Sequence, residues 1–155
     1  MESRRMIFVT VGTSDFDLLV QKMDQVASSL DDEVLIQIGY GQYIPQNCEY
    51  FRFAPSLEPY YDRADIVVAQ GGVATIIEVL TKGKTLISVE NTTCVDSHQT
   101  EILSAFAEEN FLIWCRDLEA LPSLLEQAPT VELKSYAAPP CTIGDMIRDF
   151  LQELT

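Results

Sequence analysis

Asp65-Ile66-Val67-Val68-Ala69-Gln70-Gly71-Gly72-Val73-Ala74-Thr75-Ile76-Ile77-Glu78 is the stretch on which the fold of this chain turns. It begins as an apolar, β-branched run, as a strand buried on both faces requires. It then bends on paired glycines and continues as a helix. Glycines at such a turn let a ligand approach the backbone, because no side chain blocks it. The first turn of the helix presents unpaired N–H groups and the positive end of a dipole, which together suit a phosphate. Thr75 adds a hydroxyl near that turn, and Glu78, three residues on, shares its helix face. A carboxylate can accept from both vicinal hydroxyls of a ribose, so Gly71, Gly72, Thr75 and Glu78 form a candidate seat for a nucleoside diphosphate. An ordinary strand-turn-helix with a solvated Glu78 explains the same residues, and this stretch alone does not choose between the two.

Working outward, the same unit recurs. Met6 to Val11 is a short apolar run that ends at Gly12-Thr13-Ser14. Phe16, Leu18, Leu19, Met23, Val26 and Leu30 then repeat at helical spacing, with Asp15 and Asp17 in the first turn, where the dipole favours acids. Thr13 and Ser14 are candidate caps for that helix. Strands are expected over Glu33 to Ile38, Tyr50 to Phe53, Thr85 to Val89 and Phe111 to Cys115. Ser56 is placed to cap a short helix with Pro59 near its start. The helix from Val73 to Thr81 should close on Lys82-Gly83-Lys84 with a left-handed glycine. Asp96 or Ser97 opens a helix to about Glu109, and Asp117 another to about Gln127.

Strands alternating with helices through short connections predict an α/β fold, a Rossmann-like doubly wound parallel sheet. In a 3-2-1-4-5-6 strand order the two glycine turns, after the first and the fourth strand, meet at one crevice at the carboxyl ends of neighbouring strands. Pro129 to Pro140 reads as an irregular connection. In the final helix, Met146, Ile147, Phe150, Leu151 and Leu154 fall on one face. Residues 141–155 are expected to close the domain or to dock a partner.

At 155 residues the chain fits a single domain. With 47% hydrophobic and 22% charged residues it can bury a core. Ten basic against 24 acidic residues give a net charge of −14, which argues against nucleic acid or anionic lipid as the main surface partner. Any anion site must then rely on local dipoles rather than on the overall field. Cys48, Cys94, Cys115 and Cys141 are widely spaced and His98 is the sole histidine, so no structural zinc site is expected. The cysteines read as buried free thiols of a reducing compartment. No apolar run approaches the length of a signal-peptide core or a membrane span, and the expected location is cytoplasmic.

Val9-Thr10-Val11-Gly12-Thr13, the Gly71-Gly72-x-x-Thr75-x-x-Glu78 helix, Lys82-Gly83-Lys84, and Asn91 followed by His98-Gln99 resemble the donor-binding half of glycosyltransferase family 28. The likeness covers about residues 6–117 and keeps the motifs in order. It is strongest toward small subunits of two-chain transferases in dolichol-linked oligosaccharide and bacterial exopolysaccharide or capsule synthesis. The resemblance implies the C-terminal half of a GT-B glycosyltransferase split over two chains. This chain would bind a UDP-sugar, with UDP-N-acetylglucosamine expected. A membrane-anchored partner subunit would bind a lipid-diphosphate-linked acceptor and hold this chain at the membrane. Carried over by position, Gly12, Thr13 and Ser14 would face the donor diphosphate. Gly71, Gly72 and Thr75 would line the phosphate end of the helix, and Glu78 would hold the ribose. Asn91, His98 and Gln99 would approach the sugar. Relatives of the small-subunit type often carry a histidine where Gln70 stands, and glutamine can hydrogen-bond a phosphate oxygen but cannot titrate.

His98 invites a general-base role because its ordinary pKa is near neutrality. Donor contact is the favoured reading, since acceptor activation falls more naturally to the acceptor-binding chain. Gln99 also fits a capping box with Asp96. No Asp-x-Asp pair occurs in these loops, so no metal and no cofactor is expected; backbone N–H groups and helix dipoles would stabilise the leaving UDP. Two rivals stand beside this reading. One is a non-catalytic interaction subunit that completes or tethers a partner glycosyltransferase. The other is a dinucleotide-dependent oxidoreductase, which the absence of Gly-x-Gly-x-x-Gly after the first strand disfavours.

Overall fold

A computed structural model of the chain describes residues 5–12, 15–70, 73–89, 98–131 and 133. Six strands make one sheet: β1 (Met6–Thr10), β2 (Glu33–Gln37), β3 (Glu49–Phe51), β4 (Ile66–Gln70), β5 (Thr85–Val89) and β6 (Ile113–Cys115). They lie in the order β3-β2-β1-β4-β5-β6, and every pairing is parallel. The expected strand order is therefore the observed one, with β1 and β4 side by side at its centre.

Among the described residues five α-helices cover the sheet: α1 (Asp17–Ala27), α2 (Glu58–Arg63), α3 (Val73–Thr81), α4 (His98–Glu108) and α5 (Leu121–Gln127). Strand side chains alternate between the two faces. Ile7, Val9, Ile36, Val68 and Ile87 pack with Leu19, Met23, Leu121 and Leu125 from α1 and α5. Phe8, Val67 and Leu86 pack with Tyr61, Ile76, Leu80, Leu103 and Phe106 from α2, α3 and α4. Both faces being covered explains why the strand sequences read as continuous apolar runs rather than alternating ones. Among the described residues no helix is long and apolar enough to cross a membrane.

Element ends depart from the sequence expectation for local reasons. β6 starts at Ile113 rather than Phe111, because Asn110 takes a positive φ of 61° and the Phe111 N–H bonds back to the Phe106 carbonyl at the end of α4. The segment opened by Asp117 is split: a 3₁₀ turn, Leu118–Ala120, precedes α5, and the Asp117 carboxylate accepts from the Glu119 N–H at 3.0 Å. α1 begins at Asp17, so Asp15 lies before its first turn; its N-cap is Phe16, which makes no side-chain cap bond. Thr13 and Ser14, the expected caps, lie outside the described residues, as does the C-terminal helix expected over residues 141–155. The left-handed close of α3 is as expected, with Gly83 at φ 73° and its N–H on the Leu80 carbonyl at 3.0 Å. Cys48 and Cys115 are free thiols, and burial, aided by the Asp24 charge, pushes Cys48 up to about 12.

α1 also carries two acids that sequence periodicity assigns to solvent or to the dipole. Asp17 accepts from the N–H groups of Gln42 and Tyr43 at 3.0 and 3.3 Å. Asp24, 1% exposed, accepts from the Tyr43 hydroxyl (2.7 Å) and from the N–H groups of Gln46 and Asn47. Two turns of one helix thus hold the long connection from β2 to β3. A Cβ at Gly41 would lie 2.5 Å from Asp17 Oδ1, so a side chain there would displace the carboxylate that holds this connection.

Candidate functional site

The switch between β1 and β4 opens a cleft at the carboxyl ends of the strands, where a doubly wound sheet places its ligands. The cleft has a volume of about 570 Å³. Gly12 comes to it from the end of β1, and Thr75 and Glu78 come from α3. These three were expected to share a site, and the structure brings them together across a sequence separation of more than sixty residues. Thr75 is half-buried and Glu78 exposed, on one face of the helix as their spacing requires.

The turn after β1 is set by a residue that sequence reasoning missed. Gln37, the last residue of β2, is 1% exposed. Its Oε1 accepts from the Thr10 hydroxyl and from the N–H groups of Val11 (3.2 Å) and Gly12 (3.0 Å). Its Nε2 donates to the carbonyls of Gly12 (2.8 Å) and Arg52 (2.7 Å). One amide therefore ties the ends of β1, β2 and β3 into a single rim. The Gly12 N–H, shared between Thr10 Oγ1 and Gln37 Oε1, already has acceptors. What Gly12 offers a ligand is a backbone without a side chain, held at φ 69°. Gln37→Leu would take the amide's bonds from the Thr10 hydroxyl and the Gly12 carbonyl and leave the Val11 and Gly12 N–H groups and the Arg52 carbonyl to their second partners; it is expected to destabilise the fold by about 2 kcal/mol, read as a lower urea midpoint at unchanged slope.

Two further features of the cleft, its wall after β3 and its base, were not expected from the sequence. Phe53, Ala54, Pro55, Ser56 and Leu57 form its wall after β3, with Phe53 edge-on to Tyr40 at 4.8 Å between centroids. Ser56, the expected cap of α2, lies one residue too early: the N-cap is Leu57, which makes no side-chain cap bond, and Ser56 Oγ accepts from the Glu58 N–H at 3.2 Å. Tyr61 closes the base, its ring set edge-on to Phe8 at 5.7 Å beside the Phe8, Phe51 and Tyr60 stack. The Pro55 turn at a strand end was the one available hint, since such ends line ligand crevices. Glu58 and Glu78 are the charged residues of the cleft, and no Lys, Arg or His lines it among the described residues.

The remaining expected residues are placed less fully. Gln70 ends β4, half-buried and in register with Val89. His98 and Gln99 open α4, where the structure describes the backbone only. Thr13, Ser14, Gly71, Gly72 and Asn91 lie outside the described residues, as does Asp96 of the expected capping box. Among the described residues no group of three or more His, Cys, Asp or Glu side chains could hold a metal ion.

The family model for the glycosyltransferase family 28 C-terminal domain matches residues 6–154. The chain is 30% identical over 122 residues to the human UDP-N-acetylglucosamine transferase subunit ALG13, a match that covers 70% of this chain and 11% of that protein. It thus spans about a tenth of the length of the human relative and of its mouse counterpart. Among solved structures, MurG of Acinetobacter baumannii is similar at a TM-score of 0.72 with 20% identity, over 99% of this chain and 51% of that one. The solution structure of ALG13 is similar at a TM-score of 0.62 with 18% identity, over 99% and 98%. The two structural likenesses concern the fold.

Proposed function

We propose, on the premise that this chain belongs to the glycosyltransferase family 28 C-terminal domain family, that its cleft seats the nucleotide of a UDP-sugar. The chain is then the donor-binding subunit of a bipartite GT-B hexosyltransferase, with N-acetylglucosamine the sugar. The observation that carries the reading is the convergence of Gly12, Thr75 and Glu78 on one cleft at the β1–β4 switch point. The human relative, a UDP-N-acetylglucosamine transferase subunit, supports the donor and the need for a second chain.

In this reading each residue has a distinct task. Glu78 accepts from the ribose hydroxyls through its carboxylate, which needs charge and geometry alone. Thr75 and the N-terminal turn of α3 face the diphosphate, where unpaired N–H groups and the helix dipole stabilise the charge that develops on the leaving UDP. Gly71, Gly72, Thr13, Ser14 and Gln70 are the further residues assigned to the diphosphate. Asn91, His98 and Gln99 contact the sugar, with His98 a donor contact rather than the base. The partner subunit is membrane-anchored, binds the lipid-diphosphate-linked acceptor and deprotonates its hydroxyl. That hydroxyl oxygen attacks the anomeric carbon, UDP leaves, and the configuration inverts.

The test is transfer from labelled UDP-N-acetylglucosamine to a lipid-diphosphate-linked sugar, by the chain alone and with solubilised membranes from its source. Transfer is expected only with the membranes. Turnover by the chain alone would contradict the division of the enzyme over two chains. Nucleotide binding without transfer in either arm would favour the non-catalytic subunit.

A further inference from the structure

The base of the cleft holds a buried polar group without a hydrogen-bond partner among the described residues. Tyr61 is 1% exposed, and its hydroxyl has no hydrogen-bond partner among the described residues. It lines the cleft together with Thr75 and Glu78. Burial pushes the phenol up to about 12, helped by the negative charge of Glu78; the nearby Thr75 hydroxyl acts the other way, without meeting the geometry of a hydrogen bond. The group is therefore a neutral O–H donor throughout the physiological range.

A buried hydroxyl without a partner weakens a fold, and phenylalanine would fill the same space without that cost. The ring itself is well used, since it packs edge-on against Phe8 between α2 and β1. Packing explains the ring but not the oxygen, which needs a partner that arrives with the ligand. The surroundings limit what that partner can be. Glu78 calls for a group that donates, and the Tyr61 O–H calls for one that accepts. A sugar hydroxyl does both at one oxygen.

We propose that Tyr61 is a positioning residue of the nucleotide seat, whose hydroxyl donates to a ribose hydroxyl oxygen while that hydroxyl donates to Glu78. This rests on the nucleotide-binding reading given above. It adds a second contact to the ribose and makes the seat selective for an intact vicinal diol.

The test compares the full chain with Tyr61→Phe and Glu78→Ala by calorimetric titration with UDP and with 2′,3′-dideoxy-UDP, alongside thermal melts without ligand. Tyr61→Phe is expected to bind UDP about tenfold more weakly, as the loss of one hydrogen bond implies. It should bind the dideoxy nucleotide as the unsubstituted chain does. Its unliganded melting temperature should be unchanged or higher, which a residue kept for stability would not show. Equal UDP binding by the unsubstituted chain and Tyr61→Phe, with Glu78→Ala impaired, would overturn the role of Tyr61 and leave the nucleotide seat standing. Weakening of both nucleotides alike would also overturn it, since the hydroxyl would then act through the shape of the cleft. No binding of UDP by the unsubstituted chain would overturn the seat and the inference together.

Discussion

Glu78→Ala is expected to weaken UDP binding about 100-fold, the loss of two charge-assisted hydrogen bonds to a diol. Calorimetric titration reads the effect directly. Stability should change by no more than about 0.5 kcal/mol, because Glu78 is exposed on α3 and its removal opens no cavity. The combination matters more than either number. A residue that only solvates a helix face would leave binding intact, and a residue that props the fold would lower the melting temperature. Glu78→Gln separates charge from shape: the amide keeps one acceptor oxygen and should recover part of the affinity. If Glu78→Ala binds UDP as tightly as the unsubstituted chain, the carboxylate does not hold the ribose and the proposed orientation of the donor is wrong.

The second large effect concerns stability. Asp24 is buried beneath the β2–β3 connection, where its carboxylate accepts from Tyr43, Gln46 and Asn47. Burial alone would raise its pKa and is the largest single influence. The hydrogen bonds from Tyr43, Asn47, Gln46 and Cys48 together outweigh it and hold the carboxyl below its ordinary value. Asn at this position keeps one acceptor oxygen where the carboxylate has two, and turns an amide donor toward other donors. Asp24→Asn is expected to cost about 3 kcal/mol at neutral pH, or roughly 10 °C in melting temperature.

The pH dependence follows from the direction of the shift. A group whose pKa is lowered on folding contributes stability that is fully present above its unfolded value, about 3.9 for an aspartate. That contribution is lost as pH falls through the folded value. The gap between the two proteins should therefore be constant from about pH 5 to 8 and narrow below about pH 4. A gap that persists undiminished in acid would assign the loss to packing instead of charge.

These two sites differ in how far they could be read from the chain. The sheet was legible because its strands are apolar runs that end in glycine turns, and those features are local. The order of the strands followed from the rule that ligands and glycine turns meet at a switch point. Thr75 and Glu78 were legible because helical spacing places them on one face. Gln37 and Asp24 were not. Each makes its bonds to residues about 25 positions away, at Gly12 in one case and at Gln46 and Asn47 in the other. No periodicity records such a pairing. Tyr61 was hidden for a different reason: an aromatic residue in a short helix reads as core, and its ring is core. What distinguishes it is the burial of its oxygen at the cleft without a partner among the described residues. The ends of β6 and α5 shifted because Asn110 and the 3₁₀ turn after Asp117 set them through local backbone geometry, which hydrophobic pattern does not report.

The central claim is that the cleft at the β1–β4 switch point binds the donor nucleotide. The most direct measurement is a two-dimensional NMR titration of the isotopically labelled full chain with UDP, with NAD as a comparison. The account predicts saturable shifts with UDP at the amides of Gly12, Ala54, Ser56, Leu57, Thr75 and Glu78, and none of comparable size with NAD. Shifts confined to other surfaces, such as the opposite rim around Asp32, Asn47 and Cys48, or no shifts at saturating UDP, would contradict it.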